Sequence, residues 1–183
     1  LADILYFGDI RNAPYGERTR EELTALTLAA MRRLKEGGAT SIVSACNSVS
    51  ASLVASLEAG MPDRLIEMVG PTVASLQGST KRLLVCATPA TIESKIYEDG
   101  FRALGMEPGA LAIPGLAGAI ERDDRELAQT ILREALREVA GTFDAVILAC
   151  THYPLVADLF REALGPAIEL IDPADAVAAR VEE

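Results

Sequence analysis

The chain has 183 residues, half of them apolar, and its 17 basic and 27 acidic side chains leave a net charge of −10. That length allows one large domain or two small ones around a proper hydrophobic core, and no apolar run is long enough to span a bilayer. The acidic balance argues against nucleic acid and against an anionic membrane surface as partners, since both select basic proteins.

The opening residues Leu1-Ala2-Asp3 carry no basic n-region, so no signal peptide is expected. Ile4–Phe7 reads as a buried strand closed by Gly8-Asp9, and residues 12–16, with Pro14-Tyr15-Gly16, read as a turn. Thr19 and Glu22 have capping-box spacing, and Leu23, Leu26, Ala30 and Leu34 follow a helical period that Gly37-Gly38 stops. Ser41–Ala45 is the next strand, with Cys46 at its end. Ser48 can cap a helix running to about Glu58, after which Gly60 and Pro62 punctuate. Leu65–Val69 is a strand, and Gly70-Pro71 opens a short helix.

Arg82–Ala87 is a strand that flows into Thr88-Pro89, a good N-cap followed by the proline favoured at the first helical position. That helix is expected to run to Gly100. A short strand, Leu111–Ile113, precedes Pro114-Gly115 and a loop to Glu121. Asp123 or Asp124 starts an amphipathic helix with Leu127, Ile131, Ala135 and Val139 inward, its alternating charges outward, and Gly141 at its end. Ala145–Ala149 is a strand delivering Cys150, and Thr151 and Pro154 open the following helix. Ile168–Ile171 is the last strand, and Asp172-Pro173 caps a final helix. Alternating strands and helices imply an α/β fold with parallel sheets and helices on both faces, here as two half-sheets that each carry one thiol.

Two stretches answer each other. Ser41–Ser48 and Val146–Pro154 are both apolar runs that end in Ala-Cys and continue into small hydrogen-bonding residues. The C-terminal end of a parallel strand beside a helix start is where α/β proteins hold ligands. Cys86, inside its strand, reads as core packing. Cys46 and Cys150 sit where a helix dipole lowers a thiol pKa, and as a matched pair they favour function.

The three cysteines contain no Cys-x-x-Cys pair, which suits a reducing, cytoplasmic setting and no disulfide framework. A metal site is not expected, because the single histidine, His152, leaves the ligand set too poor. Pyridoxal phosphate is disfavoured as well. Lys35, Lys81 and Lys95 are the only lysines, and none sits at an obvious sheet-end pocket for a Schiff base. No cofactor is therefore expected.

Proton transfer on both faces of one carbon uses both outer thiols and His152. One thiolate removes an α-proton, and a thiol opposite delivers another, with His152 assisting Cys150. The nascent carbanion needs hydrogen-bond donors around the carboxylate. Against so acidic a chain, those donors must be local N–H groups at helix starts.

The chain resembles the glutamate racemases of the cofactor-independent aspartate/glutamate racemase superfamily. The likeness rests on Tyr6–Asp9 with Pro14-Tyr15-Gly16, Ala45–Ser48, Gly70-Pro71, Ala87–Thr91, Ile120-Glu121 and Ala149–Pro154, in family order across nearly the whole chain. The Cys150-Thr151-His152-Tyr153-Pro154 block is the most specific. The resemblance implies interconversion of L- and D-glutamate, the D-isomer being a peptidoglycan precursor. It implies that Cys46 acts on the D-isomer and Cys150 on the L-isomer, with His152 supporting Cys150 and Glu121 helping on that side. Tyr15, Gly16, Asn47, Ser48 and Thr151 match substrate-binding positions, and Thr88 and Thr91 match weaker contacts to carboxylate oxygens.

It further implies a first domain of about residues 1–70 plus 173–183, a second of 71–172, a cleft between them, and a homodimer. Ser48 stands where threonine is commoner, which keeps the hydroxyl. The family's first strand, with its Asp-Ser-Gly, and its C-terminal segment have no counterpart in these residues. On the resemblance, the 183 residues alone are expected to turn over little or no substrate. Other readings are a racemase for aspartate or another acidic amino acid, a racemase-like binding protein, and a thiol hydrolase using Cys150 and His152.

Overall fold

The computed structural model describes residues 3–58 and 64–183, so the expected punctuation at Gly60 and Pro62 lies outside the described residues. In chain order the first elements are α1 (Arg20–Glu36), β1 (Ser41–Val43), α2 (Asn47–Glu58), β2 (Arg64–Ile66) and α3 (Val69–Ser75). There follow β3 (Leu83–Ala87), α4 (Pro89–Glu93), α5 (Ile96–Ala103), β4 (Gly109–Ala112), α6 (Leu116–Glu121) and α7 (Arg125–Leu136). The chain closes with β5 (Ala145–Ala149), α8 (Ala157–Leu164), β6 (Glu169–Ile171) and α9 (Pro173–Glu182).

The strands form two parallel sheets, β1-β2 and β4-β3-β5-β6, so the fold is α/β as the alternation predicts. Every residue of β3 and β5 is buried, because helices cover both faces of the larger sheet. The two-residue period of a strand divides those side chains. Leu84, Cys86, Val146 and Leu148 face one core with Leu116, Leu132, Leu136 and Phe160. Val85, Ala87, Ala145 and Ile147 face another with Val73, Tyr97 and Phe101. Fully burying each such large aliphatic or aromatic side chain stabilises the fold by roughly 1.5–3 kcal/mol. Cys86 lies in this core, as its strand position predicts.

The smaller sheet has a lesser core of Met31, Ile42 and Leu53, with α1 packed on α2. The capping box at Thr19 forms: its hydroxyl accepts the Glu22 N–H at 3.2 Å and its own N–H donates to the Glu22 carboxylate at 2.9 Å. α9 returns to this region, with Val177 against Ile66 and Met68, and the Asp172 carboxylate accepts the Ala174 N–H at 2.9 Å.

Several local expectations are corrected. Ile4–Phe7 is not a strand; Ile4 and Tyr6 are 90% and 85% exposed. Its contacts are with the end of α1, where the Arg33 guanidinium lies 5.7 Å from the Phe7 ring centre, and it pairs with no described strand. The helix expected from Pro89 to Gly100 breaks into α4 and α5 at Lys95, which takes a left-handed φ of 56°. The break turns α5 so that Tyr97 and Phe101 enter the core.

Residues 116–121, read as loop, are helix α6, whose Leu116 and Ala119 are fully buried. Asp124 is the N-cap of α7, and Ile131, Ala135 and Val139 pack against the core as expected, but Leu127 is exposed and the most buried stripe is Ala128, Leu132 and Leu136. That helix ends at Leu136, and turns carry the chain to Gly141. Among the described residues, no helix is long and apolar enough to cross a membrane.

Candidate active site

Each outer thiol lies at the C-terminal end of a strand. β1 runs out through Ser44-Ala45 to Cys46, and α2 begins at the next residue. The Ser44 N–H donates to the Ile66 carbonyl at 2.8 Å, which holds the segment beside β2. Burial pushes the Cys46 thiol up from its ordinary range, while the N–H groups of Val49 and Ser48 and the Ser48 hydroxyl pull it partly back. Those same donors would hold a thiolate at the positive end of α2.

Cys150 follows β5 directly and is buried. Burial pushes its thiol up to about 12, opposed by the N–H groups of His152 and Tyr153 and reinforced by the nearby charge of Cys46. The two thiols thus lie near enough to feel one another. At neutral pH both rest as thiols, and forming either thiolate requires a positive charge or a proton acceptor close by.

For Cys150 that acceptor is present. Its Sγ lies 3.8 Å from His152 Nδ1, and His152 Nε2 lies 2.7 Å from a Glu121 carboxylate oxygen. The carboxylate at one ring nitrogen fixes the tautomer and orients the other nitrogen toward the Cys150 sulfur. Glu121 reaches this position because α6 buries Leu116 and Ala119 and ends at Glu121, which is exposed.

The two halves meet through hydroxyls. Ser48 Oγ lies 2.9 Å from Thr88 Oγ1, which in turn lies 3.1 Å from Thr91 Oγ1; the Thr91 hydroxyl is 3.5 Å from Ser48 Oγ. Thr88 was expected to cap α4, but its side chain makes no capping bond and turns to Ser48 instead. All three residues are buried. Gly16 is pressed on the same threonine: a Cβ there would meet Thr88 Cγ2 at 2.4 Å and Thr88 Cβ at 2.5 Å. Its carbonyl accepts the Ala90 N–H at 2.9 Å.

Tyr15, beside Gly16, donates from its hydroxyl to Asp9 at 2.6 Å, and Cys46 lies near enough for its charge to be felt at the phenol. Asp9 is held below the usual carboxylate range, first by Tyr15 and then by Asn12. Asn47, between Cys46 and Ser48, is buried, and its Oδ1 accepts from Tyr97 at 2.7 Å. Thr151 is exposed beside Cys150.

The expected residues therefore gather in two groups joined at Ser48 and Thr88. Cys46, Asn47, Tyr15 and Gly16 stand on one side and Cys150, Thr151, His152 and Glu121 on the other, with Thr91 completing the hydroxyl cluster. Sequence reasoning missed Asp9, Tyr97 and Glu17, whose carboxylate accepts the Gly115 N–H at 2.8 Å. Their partners are too far along the chain for any spacing to reveal, except that Asp9 precedes the Tyr15 turn closely. Among the described residues, no three His, Cys, Asp or Glu side chains are grouped to hold a metal ion.

Residues 4–181 match the family of Asp/Glu/hydantoin racemases. The glutamate racemase of Ruegeria sp. (strain TM1040) is 34% identical over 196 residues, covering 96% of this chain and 73% of the relative. That of Cereibacter sphaeroides (strain ATCC 17025) is 35% identical over 194 residues, covering 95% and 72%. Among solved structures, the glutamate racemase of Francisella tularensis in complex with D-glutamate aligns with a TM-score of 0.90 at 26% identity, over 98% of this chain and 70% of that one. The Bacillus anthracis glutamate racemase gives 0.86 at 28% identity, over 96% and 68%.

Proposed function

The chain belongs to the Asp/Glu/hydantoin racemase family, and from that membership we propose that it interconverts L- and D-glutamate by proton transfer at Cα between Cys46 and Cys150. It is an amino-acid racemase. The observation that carries the two-thiol reading is the joining of two strand ends from separate sheets, each bearing a cysteine, through the 2.9 Å contact of Ser48 with Thr88. The glutamate reading is supported by relatives and solved structures that are glutamate racemases.

With L-glutamate bound, Cys150 as thiolate takes the α-proton. The C–H bond breaks, an S–H bond forms, and the electron pair stays on the substrate, delocalised into its carboxylate. Cys46 as thiol delivers its proton to the opposite face and is left as thiolate, giving D-glutamate. The reverse reaction exchanges the roles. Because both thiols sit above their ordinary pKa, the substrate ammonium and the relay through His152 to Glu121 supply the bias toward thiolate. The hydroxyls of Ser48, Thr88 and Thr91, the Asn47 amide, Thr151 and the Tyr15-Gly16 turn hold the carboxylates, and the N–H groups opening α2 stabilise charge on Cα.

In this reading residues 1–70 with 173–183 form one domain, residues 71–172 the other, and substrate lies between them. The enzyme works in the cytoplasm as a homodimer, without cofactor, metal, nucleic acid or membrane, and supplies D-glutamate for peptidoglycan. The test follows α-deuterium incorporation from each glutamate isomer in deuterated water for the full-length protein and for its Cys46→Ala and Cys150→Ala variants. Loss of two-way racemisation in both variants is expected. Full racemisation by either overturns the two-thiol assignment.

A further inference from the structure

Asn47 opens α2, is 3% exposed, and has its two amide groups in unlike circumstances. Its Oδ1 accepts from the Tyr97 hydroxyl at 2.7 Å, while its Nδ2 is buried with no acceptor among the described residues. A buried amide donor without a partner is costly in a folded protein and calls for a ligand or a specific reason.

Tyr97 comes from the other half of the molecule. Its ring is fully buried, stacked on Phe101 with centroids 6.5 Å apart, and packed against the larger sheet. The left-handed backbone of Lys95 breaks the helix two residues earlier and so sets the direction of α5. Burial raises the phenol pKa, which keeps the hydroxyl a donor. A donor aimed at Oδ1 favours this amide orientation: rotating it by half a turn would set NH2 against the phenol oxygen and leave the phenol proton only the neighbouring Thr72 hydroxyl, which already donates to the Met68 carbonyl.

We propose that Tyr97 is a positioning residue that locks the Asn47 side chain so that Nδ2 donates to a carboxylate of the bound amino acid. The ligand's identity rests on the racemase reading above; the locking itself does not. Asn47 stands between Cys46 and Ser48, so a rotated amide would present an oxygen to an anionic ligand beside the reacting carbon. Tyr97 also ties the α2 start to the half that carries Cys150, which keeps the two halves in register as substrate binds.

The test is Tyr97→Phe, which keeps the ring and removes the hydroxyl. KM for both isomers should rise about tenfold with kcat changed less than about threefold, because the carboxylate is bound in ground and transition states alike. Asn47→Ala should give a similar rise, and the double variant no more than the larger single effect. A purely structural tyrosine would lower the melting temperature and leave KM alone. In the ligand-free protein, the Asn47 side-chain NH2 signals in 15N–1H spectra should be sharp and should shift and broaden in Tyr97→Phe. Unchanged KM with unchanged amide signals, or additive effects in the double variant, would overturn the proposal. If the wild type racemises aspartate rather than glutamate, the substrate reading fails, and the Tyr97 effect is then read on aspartate and in the spectra.

Discussion

Replacing Gly16 by alanine tests the joint between the two halves. The new Cβ would lie 2.4 Å from Thr88 Cγ2 and 2.5 Å from Thr88 Cβ, so about 1 Å of separation must be found before the contact is ordinary. Rotating Thr88 about χ1 moves Cγ2 but not Cβ, so no rotamer relieves the overlap. Thr88 follows the fully buried end of β3, and the side that yields is the turn bearing Gly16.

Lifting that turn breaks the 2.9 Å bond from Ala90 to the Gly16 carbonyl and the 2.8 Å bond from Gly115 to Glu17. Overpacking costs about 1–3 kcal/mol, and each lost hydrogen bond adds about 1 kcal/mol. At about 2–4 °C per kcal/mol for a chain of this size, the melting temperature should fall by roughly 6–20 °C in calorimetry. Polarimetric racemisation should lose at least about tenfold in kcat/KM as the turn leaves Thr88. Adding Thr88→Ser removes Cγ2 and keeps Cβ, so rescue should be partial. A Gly16→Ala protein with wild-type melting and wild-type kcat/KM would refute the reasoning.

Glu121→Gln removes the charge opposite His152 and should lower kcat about 10- to 100-fold with little change in KM. Since the enantiomers are equal in free energy in water, kcat/KM should fall equally in both directions, and kcat within twofold of wild type would count against the relay. The buried thiols also predict a pH dependence of folding. Cys86 and Cys150 have folded pKa values raised by burial, Cys150 to about 12. Their contribution is intact below the unfolded value of about 8.5 and is lost as pH rises above it, by about 1.4 kcal/mol per unit for each thiol. Urea unfolding between pH 8.5 and 10 should therefore show a shallower decline for Cys86→Ala than for wild type; equal slopes would sink this. Lys95→Gly places glycine at a φ of 56° and should stabilise the fold by up to about 1 kcal/mol, whereas a lower melting temperature would mean that the lysine side chain has a role of its own.

The larger sheet was legible because a strand buried on both faces must be apolar throughout, and Leu83–Ala87 and Ala145–Ala149 are. The same rule misled at Ile4–Phe7. An apolar run becomes a strand only beside a partner's backbone, and here the contacts come from α1. Helix α6 was hidden because Pro114-Gly115 signals a turn and only six residues follow in helix, too few for a period to show. Thr88 was rightly placed before a helix, yet its hydroxyl could cap or cross to Ser48, and only tertiary packing decides between those uses. The Cys150–His152 contact was readable because the two residues are neighbours. The pairing of Asn47 with Tyr97, 50 residues apart, had no local signal.

The sheets that carry the outer thiols are unequal in stiffness. Cys150 extends from a strand clamped between two packed layers, and Cys46 from a two-stranded ribbon whose Val43 is about half exposed. Among the described residues, deforming the ribbon breaks fewer apolar contacts than deforming the four-stranded sheet.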